Sequence, residues 1–448
     1  MQKSHIAVLI ASAFFSISAP AADLIEVYQQ ALANDATYAS ARASLAVGRE
    51  KTTQGRALLM PTIGLDGSVV RNDGDNSPWN EGALGLNGSM ITGGSQQYRT
   101  TTHSLSLQQP LFRWANWQTY QQSKLQQALS EAQFAQAQQD LITRVSQAYF
   151  DVLAAQDTLE LNRAQKIATT EQLASAKRNF EVGTQTITDT HEAQAAFDLV
   201  VAQEFAAIND LENKRSALQA LIGTAPSALA TLKPGVVLAS PEPALIDPWV
   251  SSAERANYGV VSAELAYESS KRDIQKSRAG HYPTLDLVAN ARRQSNSGQY
   301  AISGTNTSNA IGIQYSVPIF SGFAVTSRVR ESIALEEKSR NDLETTRRNA
   351  AQGARQAFLG VNSGLAQVRA LQAAEVSSTS ALESNKLGYQ VGVRINIDVL
   401  NAQRQLYLTR RDLSRARYDT IMNGLRLKSA AGSLREADLV PVNNLLVK

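Results

Sequence analysis

The chain says nearly the same thing twice. Phe180-Glu181-Val182-Gly183, followed by Asp189 and Gln194, is echoed by Tyr389-Gln390-Val391-Gly392, Asp398 and Gln403, with Gly183 and Gly392 lying 209 residues apart. Leu221-Ile222-Gly223 returns as Ala430-Ala431-Gly432 at the same offset, and Gln109-Pro110-Leu111-Phe112 returns as Val317-Pro318-Ile319-Phe320. Pro61-Thr62-Ile63 is matched by Pro283-Thr284-Leu285. One unit of about 200 residues is thus used twice. A first repeat over 22–223, a linker over 224–247, a second repeat over 248–432 and a tail over 433–448 account for the chain. Function in such a molecule rests on pseudo-symmetry, not on one catalytic cleft.

Residues 1–21 read as a secretory signal peptide. Lys3 and His5 precede an apolar run from Ile6 to Ile17, and Ala19-Pro20-Ala21 forms an A-x-A site. No later stretch holds 18 apolar residues, so no transmembrane helix is expected. An exported chain without one is either soluble or spans a membrane as strands closed into a barrel. There is no cysteine, which excludes disulfides, thiolate metal sites and a lipid-modified N-terminal cysteine. The net charge of +3 gives no reason to expect nucleic acid.

Helical spacing of Leu24, Val27, Ala31, Tyr38, Ala41 and Leu45 predicts a helix over 24–58, with a counterpart over 248–280. Pro61 and Pro283 end them. Period-2 alternation then sets Ile63, Leu65 and Val69 against Thr62, Asp66 and Ser68, and Leu285, Leu287, Ala289 and Ala291 against Thr284, Asp286, Val288 and Asn290. Gly-, Asn- and Ser-rich loops are expected over 72–102 and 292–309. Second strands follow, with Leu105, Leu107 and Leu111 on one face of the first and Ile311, Ile313, Tyr315, Val317 and Ile319 on one face of the other. Each repeat therefore holds a hairpin, 61–112 and 283–320, with one apolar and one polar face. Asp66, Asp286 and Gln314 on the polar face suit a wet lumen. Four strands cannot close a membrane barrel, which needs about eight, whereas three copies would supply about twelve.

Residues 113–182 and 321–391 contain no proline and read as helix throughout, roughly 105 Å each at 1.5 Å per residue. Partners over 186–222 and 395–431 return after Gly183 and Gly392. Leu141, Val145, Ala148 and Val152, then Leu406, Leu413, Ile421 and Leu425, recur at coiled-coil spacing. His5, His103, His191 and His281 have no metal-ligand spacing, and no Walker loop, nucleophile elbow or HExxH motif occurs. Nothing points to an enzyme, a cofactor or a bound metal.

This organisation resembles the TolC family of trimeric outer-membrane exit ducts. The resemblance covers the whole mature chain and rests on Leu24-Ile25-Glu26-Val27-Tyr28-Gln29-Gln30-Ala31, the Pro-led strands and the paired Val-Gly turns. The tail, with Glu436-Ala437-Asp438-Leu439 and Asn443-Asn444, looks like the eponymous member more than its lipid-anchored drug-efflux relatives. The implied fold is a mixed α/β homotrimer in the outer membrane. Each protomer would give four transmembrane strands to a twelve-stranded barrel and four long helices to a periplasmic coiled-coil barrel. A belt would take the linker and the tail. The implied role is passive conduction of proteins, toxins or drugs in tripartite efflux or type I secretion. A periplasmic membrane-fusion adaptor and an inner-membrane ABC, RND or MFS transporter would be the partners. The other class is a non-conducting coiled-coil structural or adhesive protein, which has no need of two hairpins with continuous apolar outer faces.

By the same resemblance, the periplasmic end closes just after the turn glycines Gly183 and Gly392. The closing links would join Thr188 and Asp189 to Tyr389 and Arg394. The family's constriction, with two acidic residues per subunit, maps to Asp398 and Asn401, so three carboxylates would attract cations less strongly than six. Asp189 and Asp398 share one slot near a helix start, where a carboxylate also suits capping or the helix dipole. Arg394 is matched by Gln185, Ile397 by Thr188 and Asn401 by Glu192. Those mismatches mark where the gate is expected.

Overall fold

The computed structural model describes residues 21–76, 84, 94–299 and 303–447. Apart from Ala21, the expected signal segment lies outside them. In chain order the elements are α1 (Leu24–Asn34), α2 (Ala36–Ala57), β1 (Thr62–Asn76), β2 (Gly94–Phe112), α3 (Trp114–Glu181), α4 (Ile187–Ile222), α5 (Ile246–Ala256), α6 (Tyr258–Arg278), β3 (Thr284–Gln299), β4 (Gly304–Ser316), α7 (Ala324–Gln390), α8 (Asn396–Ala430) and α9 (Leu439–Asn443). They form two compact units. One takes Met1–Ala41, Gln136–Asn257 and Asn349–Lys448; the other takes Arg42–Ala135 and Tyr258–Arg348. Each unit draws on both sequence repeats.

The second of these units holds a four-stranded antiparallel sheet in the order β1-β2-β3-β4. Leu65 faces Leu105, Leu105 faces Ala291, and Ala291 faces Asn309, so one face carries Ile63, Leu65, Leu105, Leu107, Leu287, Ile311 and Ile313. Ile63, Leu65 and Ile311 are 68%, 77% and 78% exposed, a degree of apolar exposure that water disfavours and lipid accepts. The opposite face carries Thr62, Asp66, Ser104, Ser106, Asn290, Asn306 and Gln314.

The strands reach further into the expected loops than alternation suggested, to Asn76 and Gln299 and from Gly94 and Gly304. There both faces are polar, so pairing continues without a hydrophobic signature. At the other end β4 stops at Ser316, not beyond Ile319. Pro318 has no N–H to pair and β4 is an edge strand. In β2, by contrast, Pro110 sits at a register shift that lets Phe112 face Leu285. Asp286 was expected to line a lumen. It is instead 4% exposed. Arg113 Nε donates to its Oδ1 at 2.8 Å, Arg113 Nη2 to its Oδ2, and Gln108 Nε2 to Oδ2 at 3.3 Å. This forked pair ties the end of β2 and the start of α3 to β3.

Beside the sheet, α2 packs tightly on α3. A Cβ on Gly55 would lie 2.1 Å from Ser123 Oγ, and one on Gly48 2.2 Å from Ser130 Oγ. The equivalent of the Gly55–Ser123 contact in the second repeat is a hydrogen-bonded pair, Ser277–Ser332, at 2.7 Å.

The first unit's core is built from Leu24, Leu141, Tyr149, Phe150, Leu153, Leu218 and Ile222, with Tyr418, Met422 and Leu425 from α8. Tyr149 stacks edge-on against Phe150, and its hydroxyl is shared between the carbonyls of Ala230 (2.7 Å) and Ala22 (3.2 Å). Ser414 and Tyr418 both donate to Asp157. Burial, then the Asp157 charge, raises the Tyr418 phenol far above its ordinary pKa. The linker and tail pair with the chain's start. Ala22 bridges Leu229, Leu232 bridges Leu446, and Lys233 Nζ donates to the Asn444 carbonyl at 2.7 Å. Asn443 accepts from the Leu24 amide at 3.0 Å and donates to Asp23 at 2.8 Å, completing the N-terminus of α1.

Where one helix was expected over 24–58, Asp35 divides α1 from α2; where one was expected over 248–280, Asn257 divides α5 from α6. Side-chain bonds compete with the helix at both points. Asp35 accepts from the Tyr38 amide at 2.6 Å and takes both Arg144 guanidinium nitrogens at 3.0 and 3.1 Å. Asn257 Nδ2 donates to the Ala430 carbonyl at 3.0 Å. The C-terminal glycines of α4 and α8 pack against these breaks with φ of 79° and 72°. A Cβ on Gly223 would lie 3.1 Å from Asn34 Cβ, whereas one on Gly432 would lie 2.0 Å from the Ala256 carbonyl oxygen.

Gly223→Ala is therefore expected to destabilise by about 1–2 kcal/mol, the strain of a left-handed L-residue. Gly432→Ala should cost distinctly more, because backbone and not a side chain must yield. Thermal unfolding followed by circular dichroism checks the order, and equal losses of Tm would contradict it.

Candidate functional site

Helices α3 and α7 end in the same turn. The amides of Gly183 and Gly392 bond the carbonyls of Phe180 (2.9 Å) and Tyr389 (3.1 Å), and those of Thr184 and Val393 reach back to Asn179 and Gly388, both at 2.9 Å. This is a Schellman motif in each repeat. It needs the left-handed φ that Gly183 (74°) and Gly392 (82°) adopt.

The helices that leave the turns begin differently. α4 opens on Thr186-Ile187-Thr188-Asp189, and α8 on Ile395-Asn396-Ile397-Asp398, so polar and apolar positions are exchanged. Thr186 and Asp189 form a reciprocal capping box: Asp189 Oδ2 accepts from the Thr186 amide at 3.0 Å and its hydroxyl at 2.7 Å. Ile395 has no oxygen to offer and caps nothing. Asp398, freed from that duty, lies 3.6 Å from Arg394 one turn back. The aliphatic stem of Arg394 rests on Gly388, where a Cβ would come within 2.7 Å of its Cγ.

Asn396 turns inward and is fully buried. Its Nδ2 donates to the Asp189 carbonyl at 3.1 Å, and its Oδ1 accepts from Gln172 Nε2 at 2.6 Å. Two turns on, Gln403 Nε2 donates to Thr169 Oγ1 at 3.3 Å. These bonds link α8 to α3 and α4 around Leu173, Ala176, Ala193 and Leu400. Tyr389 packs beside Leu382, Val399 and Leu406, and its hydroxyl accepts from Gln185 Nε2.

All the residues singled out in the sequence thus lie at the two turns or within the first three turns of the helices that follow. Within one chain, however, Tyr389 bonds Gln185, Arg394 pairs with Asp398, and Asn401 Oδ1 accepts from Arg404 at 3.1 Å. No bond joins Thr188 or the Asp189 carboxylate to Tyr389 or Arg394. Thr188 is exposed. Asn396 and Gln172 were not anticipated. The exchange of Ile187 for Asn396 between the repeats is the signal that marks Asn396, and Gln172 has none. Among the described residues no cluster of His, Asp or Glu could hold a metal ion, and no helix is long and apolar enough to cross a membrane.

The family model for outer membrane efflux proteins matches residues 27–224 and 249–433, both repeats and not the linker. The chain belongs to the outer membrane efflux protein family. It is 33% identical to the outer membrane protein TolC of Vibrio cholerae over 429 residues, covering 94% of this chain and 93% of that protein. It is 32% identical to the alkaline protease secretion protein AprF of Pseudomonas aeruginosa over 425 residues, covering 93% and 85%. Its fold matches the crystal structure of the outer membrane protein VceC of Vibrio cholerae with a TM-score of 0.76 at 20% identity, covering 92% of this chain and 96% of that one. The family places the chain in the outer membrane, its helical part in the periplasm, as a transport duct and not an enzyme.

Asn396→Ala would remove the second donor to the Asp189 carbonyl and leave the Gln172 side-chain amide without its partner, a loss of about 1–3 kcal/mol. The variant is expected to keep its secondary structure, to unfold at a lower temperature, and to conduct more in planar bilayers because α8 is less firmly held to α4. Wild-type stability and conductance together would contradict this assignment.

Proposed function

We propose that this protein is the outer-membrane exit duct of a tripartite efflux or type I secretion system and works as a homotrimer. The observation that carries the reading is a sheet with an exposed apolar face and two unpaired edges, β1 and β4. In hydrocarbon each unpaired backbone group costs several kcal/mol, so the edges must meet those of other copies. Three protomers close about twelve strands with an even count and no edge left. Energy and cargo selection would come from an inner-membrane ABC, RND or MFS transporter, joined to the duct by a periplasmic adaptor. The repeats 22–223 and 248–432 would alternate around the threefold axis, with the linker 224–247 and tail 433–448 as a belt.

Thr188, Asp189, Tyr389 and Arg394 would form the gate, and Asp398 and Asn401 the constriction. Arg394 and Tyr389 lie at the tip of one repeat and Asp189 at the tip of the other, so links between them would hold neighbouring helix pairs together. Exposed pairs of this kind contribute about 0.2–1 kcal/mol each. A threefold set biases the closed state and still yields to an adaptor.

Three measurements test the reading. Arg394→Ser combined with Tyr389→Phe is expected to raise single-channel conductance several-fold in planar bilayers; unchanged conductance rejects the gate. Asp398→Ala should shift the reversal potential toward lower cation preference, and an unaltered potential would remove Asp398 from the constriction. Deletion of the gene is expected to increase drug susceptibility or abolish secretion of exported proteins, and the pattern would name the cargo class.

A further inference from the structure

The outward face of the sheet is continuously apolar only up to a definite height, with Val69, opposite Thr101, a lone apolar side chain beyond it. From Leu285 and Tyr315, rows of Leu287 and Ile313, then Ile63, Leu107 and Ile311, then Leu65, Leu105 and Ala291 follow one another. The next row on the same face pairs Gly67 with His103 and His103 with Arg293. Two rows further, Arg71 stands directly opposite Arg99. All four of His103, Arg293, Arg71 and Arg99 are exposed.

Depth places these groups. Leu285 and Arg293 are eight residues apart on β3, about 27 Å along the strand and about 20 Å along the axis of a barrel with strands tilted 35–45°. That is close to the height of the lipid band, so the basic rows lie at its far edge, toward the strand ends away from the helices. In an outer membrane that edge is the outer leaflet.

Two features ask for an anion there. Like charges directly opposite on neighbouring strands destabilise a sheet, and Arg71 faces Arg99 in that way. Among the described residues neither the Arg99 nor the Arg293 side chain has a hydrogen-bond or ion-pair partner, while the Arg71 side chain reaches only the Gln97 amide oxygen at 3.3 Å. Asp73, one row beyond, accepts from Gln97 at 3.3 Å. A shallow depression of about 190 Å³ lies at the lower row, lined by Leu65, His103, Leu105, Arg292, Arg293 and Thr307 among others.

We propose that Arg71, Arg99, His103 and Arg293 form a site for the phosphate groups of the outer-leaflet lipopolysaccharide. An acyl chain would lie against the apolar rows below, and the phosphates would neutralise the opposed arginines. The site rests on the outer-membrane location and not on conduction, so it stands or falls independently of the duct.

The test is native mass spectrometry of the purified full-length protein in detergent with added lipid. Wild type is expected to retain diphosphoryl lipid A about tenfold more strongly than dephosphorylated lipid A or phosphatidylglycerol. Arg99→Gln with Arg293→Gln should remove that preference. Arg348→Gln, at an exposed arginine of α7 outside the sheet, should leave it intact. Equal retention of the three lipids by wild type overturns the proposal whatever the variants do. So does a loss with Arg348→Gln as large as with the double variant.

Discussion

An open four-stranded sheet cannot stand alone in lipid. β1 and β4 each present a row of amides and carbonyls with no neighbour, and in hydrocarbon nothing but another strand can satisfy them. On the proposed reading, that single requirement is why the chain would assemble with copies of itself. It also explains why the base of the sheet is secured within the protomer. The Arg113–Asp286 fork fixes β2 and α3 to β3, so the two hairpins are tied into one four-stranded sheet and are not two separate ribbons.

Duplication supplies the rest economically, but not by copying. The Schellman turns at Gly183 and Gly392 share both of their defining bonds, and the helix breaks at Asp35 and Asn257 receive the same kind of glycine. The differences are confined to side chains that decide what each end does. Thr186 closes its own helix, whereas Ile395 leaves α8 uncapped and lets Asn396 bind α4 and Asp398 bind Arg394. One repeat is self-sufficient at its tip; the other depends on neighbours.

Much of this was legible in sequence. The long helices α3 and α7 follow from some seventy residues without proline, and the strands from alternation such as Ile63, Leu65 against Thr62, Asp66. Legibility failed where the physical signal itself vanishes. β1 to β4 extend through Asn- and Ser-rich stretches in which both faces are polar, so period 2 leaves no trace. The divisions at Asp35 and Asn257 depend on Arg144 and the Ala430 carbonyl, each more than a hundred residues away. At the tips, the shared aspartate slot was visible. The inward turn of Asn396 was not, because an Asn near a helix start reads as an ordinary cap.

The bond between Asn443 and the start of α1 has a consequence for how the molecule comes into being. Leu24 and Asn443 are separated by 419 positions, almost the entire polypeptide. A contact of that span is among the last that a folding chain can close. Asp23 caps the Glu26 amide locally, but the Leu24 amide waits for its buried partner until the final residues arrive. Leu439 and Leu446 join the core around Leu24 and Tyr149 only then, so a chain cut short by a handful of residues lacks a partner at its beginning.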